Sequence, residues 1–403
     1  ISWKNLRDHV DFEEKWVYNS IIKTQRRITS NYLMLMMVIG GIYMEYYIFI
    51  SNDCNLNCNY CSILLKKGKC NIPQEPAFSV AELNNFIDKT QRKYNDKSAD
   101  IVFFGGEPTL NYPFIEKIIS SQDSKFEKPY EYHYMLHTNG LLLGEIPDNI
   151  LKHLDSIMLS INYDKIPRLK LNEGYFKTII NSVRIVKQRK PIPIVARLTI
   201  TEETSLYSEI ALFNPFFDAV YWQIENNYQF KDFKAFRDSY KYELTLCFNI
   251  WLNYLKRGIM LRLIPFLAAT YFFVNEHNSD VFCCGYNNSM VYVQTNGSCY
   301  TCAEDMTTNK NLVGNITDDI QFNAFGPKDV VCKDCSYLKI CMGRCGRMHK
   351  EFSSEHIREY CELNQILFDL VEKNLKDIQE FCKKYNVVIS LDDPIYHFTE
   401  YTP

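Results

Sequence analysis

The 403-residue sequence has no charge imbalance, no export signal and no unbroken apolar run of membrane length. Its 45 Lys and Arg against 48 Asp and Glu leave a formal net charge of -3 with no long basic block, which excludes a surface built for nucleic acid. No basic segment leads through an apolar stretch to a small-residue cleavage site, so a reducing, cytoplasmic setting is expected over an oxidising one. The longest apolar run, residues 32–50 (YLMLMMVIGGIYMEYYIFI), carries Glu45 and two glycines; its second half reads as a buried strand and not as part of a membrane span. Internal repeats and low-complexity tracts are absent as well.

Cysteine is plentiful: 15 residues, most of them in C-x2-C, C-x3-C or C-x5-C spacings. A chain of this length buries a sizeable core without disulfide support. Stability therefore does not account for the thiols, and in a reducing compartment such spacings point to metal.

From residue 44 onward, apolar runs alternate with amphipathic stretches, the pattern of β-α units around a parallel sheet. YYIFIS, DIVFFGG, EYHYMLHTNG, SIMLSIN, PIVARLTI and AVYWQIE read as six strands, with helices such as SVAELNNFIDKTQRKY and FIEKIISS between them. The expected fold is α/β, a full or partial (β/α)6 TIM-type barrel, whose active site gathers at the C-terminal strand ends. Cysteine and polar motifs stand at those ends. The expected divisions are a helical extension of unassigned role at 1–43, the barrel at 44–240, a bridging helix and strand at 241–276, a cysteine-rich domain at 277–365, and a C-terminal helix and tail at 366–403. The sequence starts at Ile1, as a processed chain or a fragment would, and Met44 is a plausible natural start.

CNLNCNYC places Cys54, Cys58 and Cys61 on the rhythm C-x3-C-x2-C. Three thiolates so spaced can wrap three corners of a cubane iron-sulfur cluster and leave one iron open. A zinc site normally completes four ligands, and the next cysteine is only Cys70. The motif, with Tyr60 before the last cysteine, resembles the signature of the radical S-adenosylmethionine (SAM) superfamily. The resemblance implies a 4Fe-4S cluster whose open iron binds the amino and carboxylate groups of SAM, and a 5'-deoxyadenosyl radical, formed by one-electron cleavage of SAM, that abstracts hydrogen from a substrate. It implies SAM-binding roles for Gly105, Gly106, Glu107 and Pro108 (GGEP), the glycines permitting close approach and Glu107 accepting from the ammonium. Thr138, Asn139 and Gly140 match a third-strand ending of the family, Ser160 and Asn162 fall where relatives contact ribose and carboxylate, and Arg197 falls where an arginine pairs with the carboxylate. The fourth strand departs from the family's S-I-D-G, reading Ser160-Ile161-Asn162-Tyr163.

Nine of the fifteen cysteines lie between residues 283 and 361. Their order, with VGNI at 313–316, resembles the SPASM domain, the C-terminal iron-sulfur domain of peptide-modifying radical SAM enzymes. The resemblance implies two auxiliary 4Fe-4S clusters: an outer one on Cys332, Cys335, Cys341 and Cys361, and an inner one on Cys284, Cys302 and Cys345. Relatives supply a further inner cysteine where this chain has Asn278. Cys283 or Cys299 could substitute, with Cys299 favoured because Cys299-x2-Cys302 reads as a chelating pair, or an open iron could bind a substrate thiolate. A zinc ribbon is the alternative for Cys332 to Cys345, and Cys70, Cys247 and Cys382 read as free thiols.

Three functions are open. The first is a maturase that crosslinks (by thioether or otherwise) or oxidises a ribosomal precursor peptide or a protein, fed by a low-potential donor such as flavodoxin or ferredoxin. The second is an anaerobic sulfatase-maturating enzyme making formylglycine. In those relatives an Asp regarded as the base follows the second inner cysteine, whereas Ala303 follows Cys302 here, with Glu304 and Asp305 beyond. The third is an electron carrier, which would not need GGEP or Arg197. Leader recognition by strand addition usually belongs to an N-terminal winged helix. Residues 1–43 are too short for one, so either an upstream module lies outside this sequence or a separate recognition protein is a further partner.

Overall fold

The computed structural model describes residues 44–58, 61, 72–123, 131–162, 173–226, 229–275, 280–306, 310–323, 325–391, 394–396 and 401–403. The expectations for residues 1–43, Tyr60, Cys70, Tyr163 and Asn278 lie outside the described residues.

Each of the six expected strands is present: β1 (Met44–Ser51), β2 (Ser98–Gly105), β3 (Glu131–Thr138), β4 (Ser156–Ser160), β5 (Ile194–Ile200) and β6 (Ala219–Ile224). They pair in parallel, each with its sequence neighbour. The intervening helices are α1 (Val80–Tyr94), α2 (Tyr112–Asp123), α3 (Glu173–Arg189) and α4 (Leu206–Phe213). Capping residues start and stop them. Ser79 caps α1 by accepting from the Glu82 N–H, while Glu82 accepts from the Ser79 N–H, and Asn95 ends the helix with φ of 53°.

Strand parity sorts the side chains. Tyr46, Ile48, Ile101, Phe103, Leu136, Ile157, Leu159, Ala196 and Trp222 join the core beneath the helices. Tyr47, Phe49, Val102, Met135 and Met158 fill the inner face, with Phe104 packed against them. The result is the expected partial barrel, with α5 (Phe233–Leu255) following β6 and packing on α4.

Two expectations need correction. The stretch 241–276 was to end in a strand; instead Leu263 makes a single parallel bridge to Val220 and α6 (Ile264–Val274) begins. Pro265 sits in the first helical turn, where its missing N–H has no intrahelical bond to lose. The single C-terminal helix is two, α8 (Ser354–Lys373) and α9 (Leu375–Tyr385), broken at Asn374, whose side chain donates to the Leu370 carbonyl. Between them and the barrel, the cysteine-rich segment adds strands to the same sheet. β7 (Met290–Val293), fully buried, pairs in parallel with β1, and β8 (Ser298–Tyr300) and β9 (Leu312–Asn315) follow antiparallel. A short helix α7 (Gly346–Glu351) precedes α8. No helix among the described residues is long and apolar enough to cross a membrane.

Candidate active site

β1 delivers the cysteine loop to the barrel's C-terminal rim. Cys61 N–H donates to the Cys58 carbonyl at 3.2 Å, a turn that folds the C-x2-C spacing back on itself. The Cys54 thiol is pushed up to about 11, chiefly by burial, with the charges of Glu107 and Cys61 adding to the shift. The Leu56 N–H (3.4 Å) and the Asn139 amide (3.8 Å) both point at its sulfur. Tyr175 on α3 is held above the usual phenol range by burial first and then by Cys58, Glu107 and Cys54, which places its ring beside the loop. Nothing in the spacing of the sequence announced it.

The glycines of GGEP are explained by contact. Gly106 N–H donates to the Ser51 carbonyl at 2.8 Å and Glu107 N–H to the Asp53 carbonyl at 2.7 Å, so this turn runs against the chain entering the cysteine loop. A Cβ at Gly105 would lie 2.2 Å from the Ser51 oxygen and one at Gly106 2.3 Å from the Asp53 oxygen. Only glycine fits there.

Glu107 has a different occupation from the one expected. Its carboxylate is 1% exposed and accepts from Thr109 N–H (3.1 Å), Thr109 Oγ1 (2.6 Å), Thr138 Oγ1 (2.6 Å) and Asn139 N–H (2.8 Å). Four donors of the chain itself surround it. Its pKa is raised by burial and lowered by each of those bonds, with burial prevailing. Glu107 thereby clamps the TNG turn to the GGEP turn, and Asn139, so fixed, donates to Asn55 Oδ1 at 2.8 Å across the loop. Pro108 opens the short turn that follows.

Asn162 is likewise committed: its amide donates to the Thr199 carbonyl (2.9 Å) and accepts from the Thr199 N–H (3.0 Å), tying β4 to β5. Ser160 and Arg197 are register partners on the inner face. The Arg197 guanidinium donates to Gln223 Oε1, and Ser160 Oγ lies 2.8 Å from His137 Nε2. His137 and Gln223 join the inner-face polar group by strand parity, a signal that the sequence carried at β3 and β6.

His137 is pushed down to about 3 by burial, with Arg197 adding to the effect. Its folded pKa lies below the unfolded value, so the unfolded chain binds the proton first as pH falls. The neutral ring's stability contribution is full above about 6.5 and lost progressively toward 3. Because the ring keeps a partly open edge, the expected loss between about pH 6.5 and 5 is discounted to roughly 1 kcal/mol. Urea unfolding of wild type and H137Q at both pH values measures it; an equal pH slope in the two proteins would contradict the assignment.

In the C-terminal segment the outer thiols are neighbours. Cys332 is pushed up to about 12 by burial, then by Cys361 and Cys335. Cys341 is raised by burial, then by Cys361, Cys332 and Cys283, and Cys361 by burial and Cys335. Cys332 and Cys335 lie in a turn, Cys335 N–H donating to the Cys332 carbonyl at 3.0 Å. His349, which the sequence did not mark, lies 3.5 Å from the Cys332 sulfur and stacks on Phe282. Among the described residues, no three His, Cys, Asp or Glu side chains close tightly enough to hold a single ion.

Cys299 does not join Cys302. β8 ends at Tyr300, and Cys302, extended with φ -152° and ψ 135°, opens the short turn that follows it. Cys299 is wholly buried in the helix-side core with Val291, Val293, Val313 and Ile316, whereas Tyr300 and Ala303 belong to the inner-face group. Cys284 precedes β7 and Cys345 caps α7. Cys247 is a buried thiol of α5, Cys382 lies on α9, and all fourteen described cysteines are free of disulfides.

The chain's likeness to known proteins agrees with this geometry. The profile of the radical SAM superfamily matches residues 48–204. A cysteine-type anaerobic sulfatase-maturating enzyme of Clostridium novyi is 23% identical over 380 residues, covering 83% of this chain and 95% of that protein. The radical SAM cyclopropyl synthase TigE of Paramaledivibacter caminithermalis is 30% identical over 152 residues, 34% of this chain and 32% of that protein. Among solved structures, anSMEcpe with bound AdoMet and Cp18Cys peptide superposes with a TM-score of 0.64 at 19% identity, covering 84% of this chain and 99% of that one. The donor set fits the cofactors that this superfamily uses: three thiols on one loop for a 4Fe-4S cluster, and polar groups of β4 to β6 on the adjoining inner face for SAM. Residues 48–204 thus match the radical SAM superfamily, and form the part of the barrel that carries the cysteine loop.

Proposed function

We propose that this enzyme is a peptide maturase that uses two auxiliary iron-sulfur clusters in its C-terminal segment and joins a substrate sulfur to carbon. The observation that carries the reading is the burial of Cys299 on the core side of β8. With Cys299 withdrawn, and Cys283 turned to Cys341 of the outer set and donating to Thr402 Oγ1 at 3.8 Å, Cys284, Cys302 and Cys345 would form a three-thiol inner set, which leaves an iron free for a substrate thiolate. The bound SAM and cluster would supply the hydrogen-abstracting radical. The chain's own part is to hold them: Cys54, Cys58 and Cys61 the cluster, Ser160 and Arg197 the polar end of SAM. The fold it shares with anSMEcpe, whose structure includes the Cp18Cys peptide, supports a peptide substrate. Formylglycine formation is the second reading, favoured by the likeness to the Clostridium novyi maturase. Against it stands Ala303, packed on the apolar inner face where a base would be needed.

Anaerobically reconstituted enzyme should hold about 11 to 12 irons, and C299A should hold as many. A Cys-containing substrate peptide should alter the electron paramagnetic resonance spectrum of the inner cluster and lose two hydrogen atoms per crosslink. About four irons would remove the auxiliary clusters, and an iron loss confined to C299A would restore it as a ligand. A mass change to formylglycine would select the second reading.

A further inference from the structure

Asn52 and Pro73 flank the stretch that carries Cys54, Cys58 and Cys61. Of Pro73, Gln74, Glu75, Pro76 and Ala77 on its return limb none is buried, and Phe78 is the first side chain there to enter the core. Hydrogen bonds hold this limb instead. Asn52 donates through its N–H to the Gln74 carbonyl at 2.8 Å and through Nδ2 to the Pro73 carbonyl at 2.7 Å. Thr295, in the turn between β7 and β8, donates through Oγ1 to the same Pro73 carbonyl at 2.6 Å, and its own carbonyl accepts from the Ala77 N–H at 2.7 Å. Asn52 Nδ2 also donates to Thr295 Oγ1 at 2.6 Å, which ties the three residues into one knot.

Thr295 is 0% exposed, so its hydroxyl has no water to turn to. The turn that presents it is itself braced. Gln294 Oε1 accepts from the Thr295 N–H at 2.7 Å, and Gly297, with φ of 83°, donates to the Gln294 carbonyl at 2.8 Å. Gln294 Nε2 reaches Met306 Sδ at 3.6 Å, and Met306 belongs to the inner-face group on which Ala303, the neighbour of Cys302, is packed. The cysteine loop is thus supported from two sides. Its entry limb rests on the GGEP turn of the barrel, and its return limb on a turn 222 residues further along the chain. We infer that Thr295 and Asn52 are positioning residues for the SAM site, and that the C-terminal segment sets the place of the loop carrying Cys54, Cys58 and Cys61. This rests on the cluster assigned to those cysteines above. A loop fixed at its entry alone keeps its thiols but samples more positions, and the ordering it then undergoes on binding is subtracted from its affinity for SAM.

The test uses the full reconstituted chain and reads the change that SAM makes in the electron paramagnetic resonance spectrum of the reduced protein. T295V keeps the side chain's shape and removes the two bonds its hydroxyl makes to Asn52 and Pro73, so SAM should bind about tenfold more weakly at unchanged iron content. T295S, which keeps the hydroxyl, should restore most of the affinity. N52A, at a half-buried position, should weaken SAM as well, and N52A/T295V should lose less than the two single losses multiplied together, because the pair shares a bond. Hydrogen exchange of the same chains reads the limb itself: the Asn52 and Ala77 amides should exchange faster in T295V than in wild type. Wild-type SAM affinity in either T295V or N52A would overturn the inference, as would equal losses in T295V and T295S. Should wild type show no SAM-dependent signal, the cluster assignment fails, and hydrogen exchange decides the rest: faster exchange in T295V upholds the support from the C-terminal segment, and unchanged exchange refutes it.

Discussion

Replacing Cys54, Cys58 and Cys61 together by alanine is expected to bring 5'-deoxyadenosine formation down to the background of the chemical reductant, with the fold intact. The three sulfurs are the only cluster ligands the barrel's first loop offers among its described residues, and none belongs to the packed core. The three are half-buried thiols outside that core, so in cluster-free protein their truncation should cost no more than about 1 kcal/mol, and the loss of activity should come without unfolding. The variant should also lose about four irons and keep the remainder. Chromatography of the quenched reaction reads the nucleoside directly. Continued formation of 5'-deoxyadenosine at the wild-type rate would show that SAM cleavage does not depend on this loop.

E107A carries the largest expected cost to folding. Four donors converge on the Glu107 carboxylate, and truncation leaves them facing a cavity. The two hydroxyls can turn elsewhere, but the backbone N–H groups of Thr109 and Asn139 cannot. At about 1–3 kcal/mol per stranded donor, the loss should be on the order of 3–5 kcal/mol. E107Q keeps one acceptor oxygen and turns its NH2 toward a donor, so it should lose less, in the same direction. Because the clamp also fixes Asn139 over the cysteine loop, both variants should bind SAM more weakly, even below their unfolding transition. A urea midpoint within about 0.5 kcal/mol of wild type for E107A would refute the clamp.

How much of this was legible depended on whether a residue's neighbours in sequence were also its neighbours in space. The barrel strands were readable because MEYYIFIS and SADIVFFG are apolar on both faces, as parallel strands must be. The cysteine loop was readable because its ligands share one turn. Spacing alone misled at Cys299: C-x2-C closes a turn at Cys58 and at Cys332, whereas Cys299 lies inside β8 with its side chain in the core. The role of Glu107 was hidden because three of its four donor groups come from Thr138, Asn139 and a hydroxyl whose rotamer no pattern records. The helix at Ile264–Val274 was missed because LRLIPF alternates like a strand until Pro265 is seen as a helix opener.

The parallel pairing of β7 with β1 bears on how the chain is made. β1 leaves the ribosome before the other described strands, yet its partner on one edge, Met290–Val293, is synthesised only after β2 to β6. Contacts so distant in sequence form slowly, and an open apolar edge is a template for aggregation in the meantime. A fragment ending before residue 290 would lack the β7 partner of that edge, and is expected to aggregate more readily than the full chain.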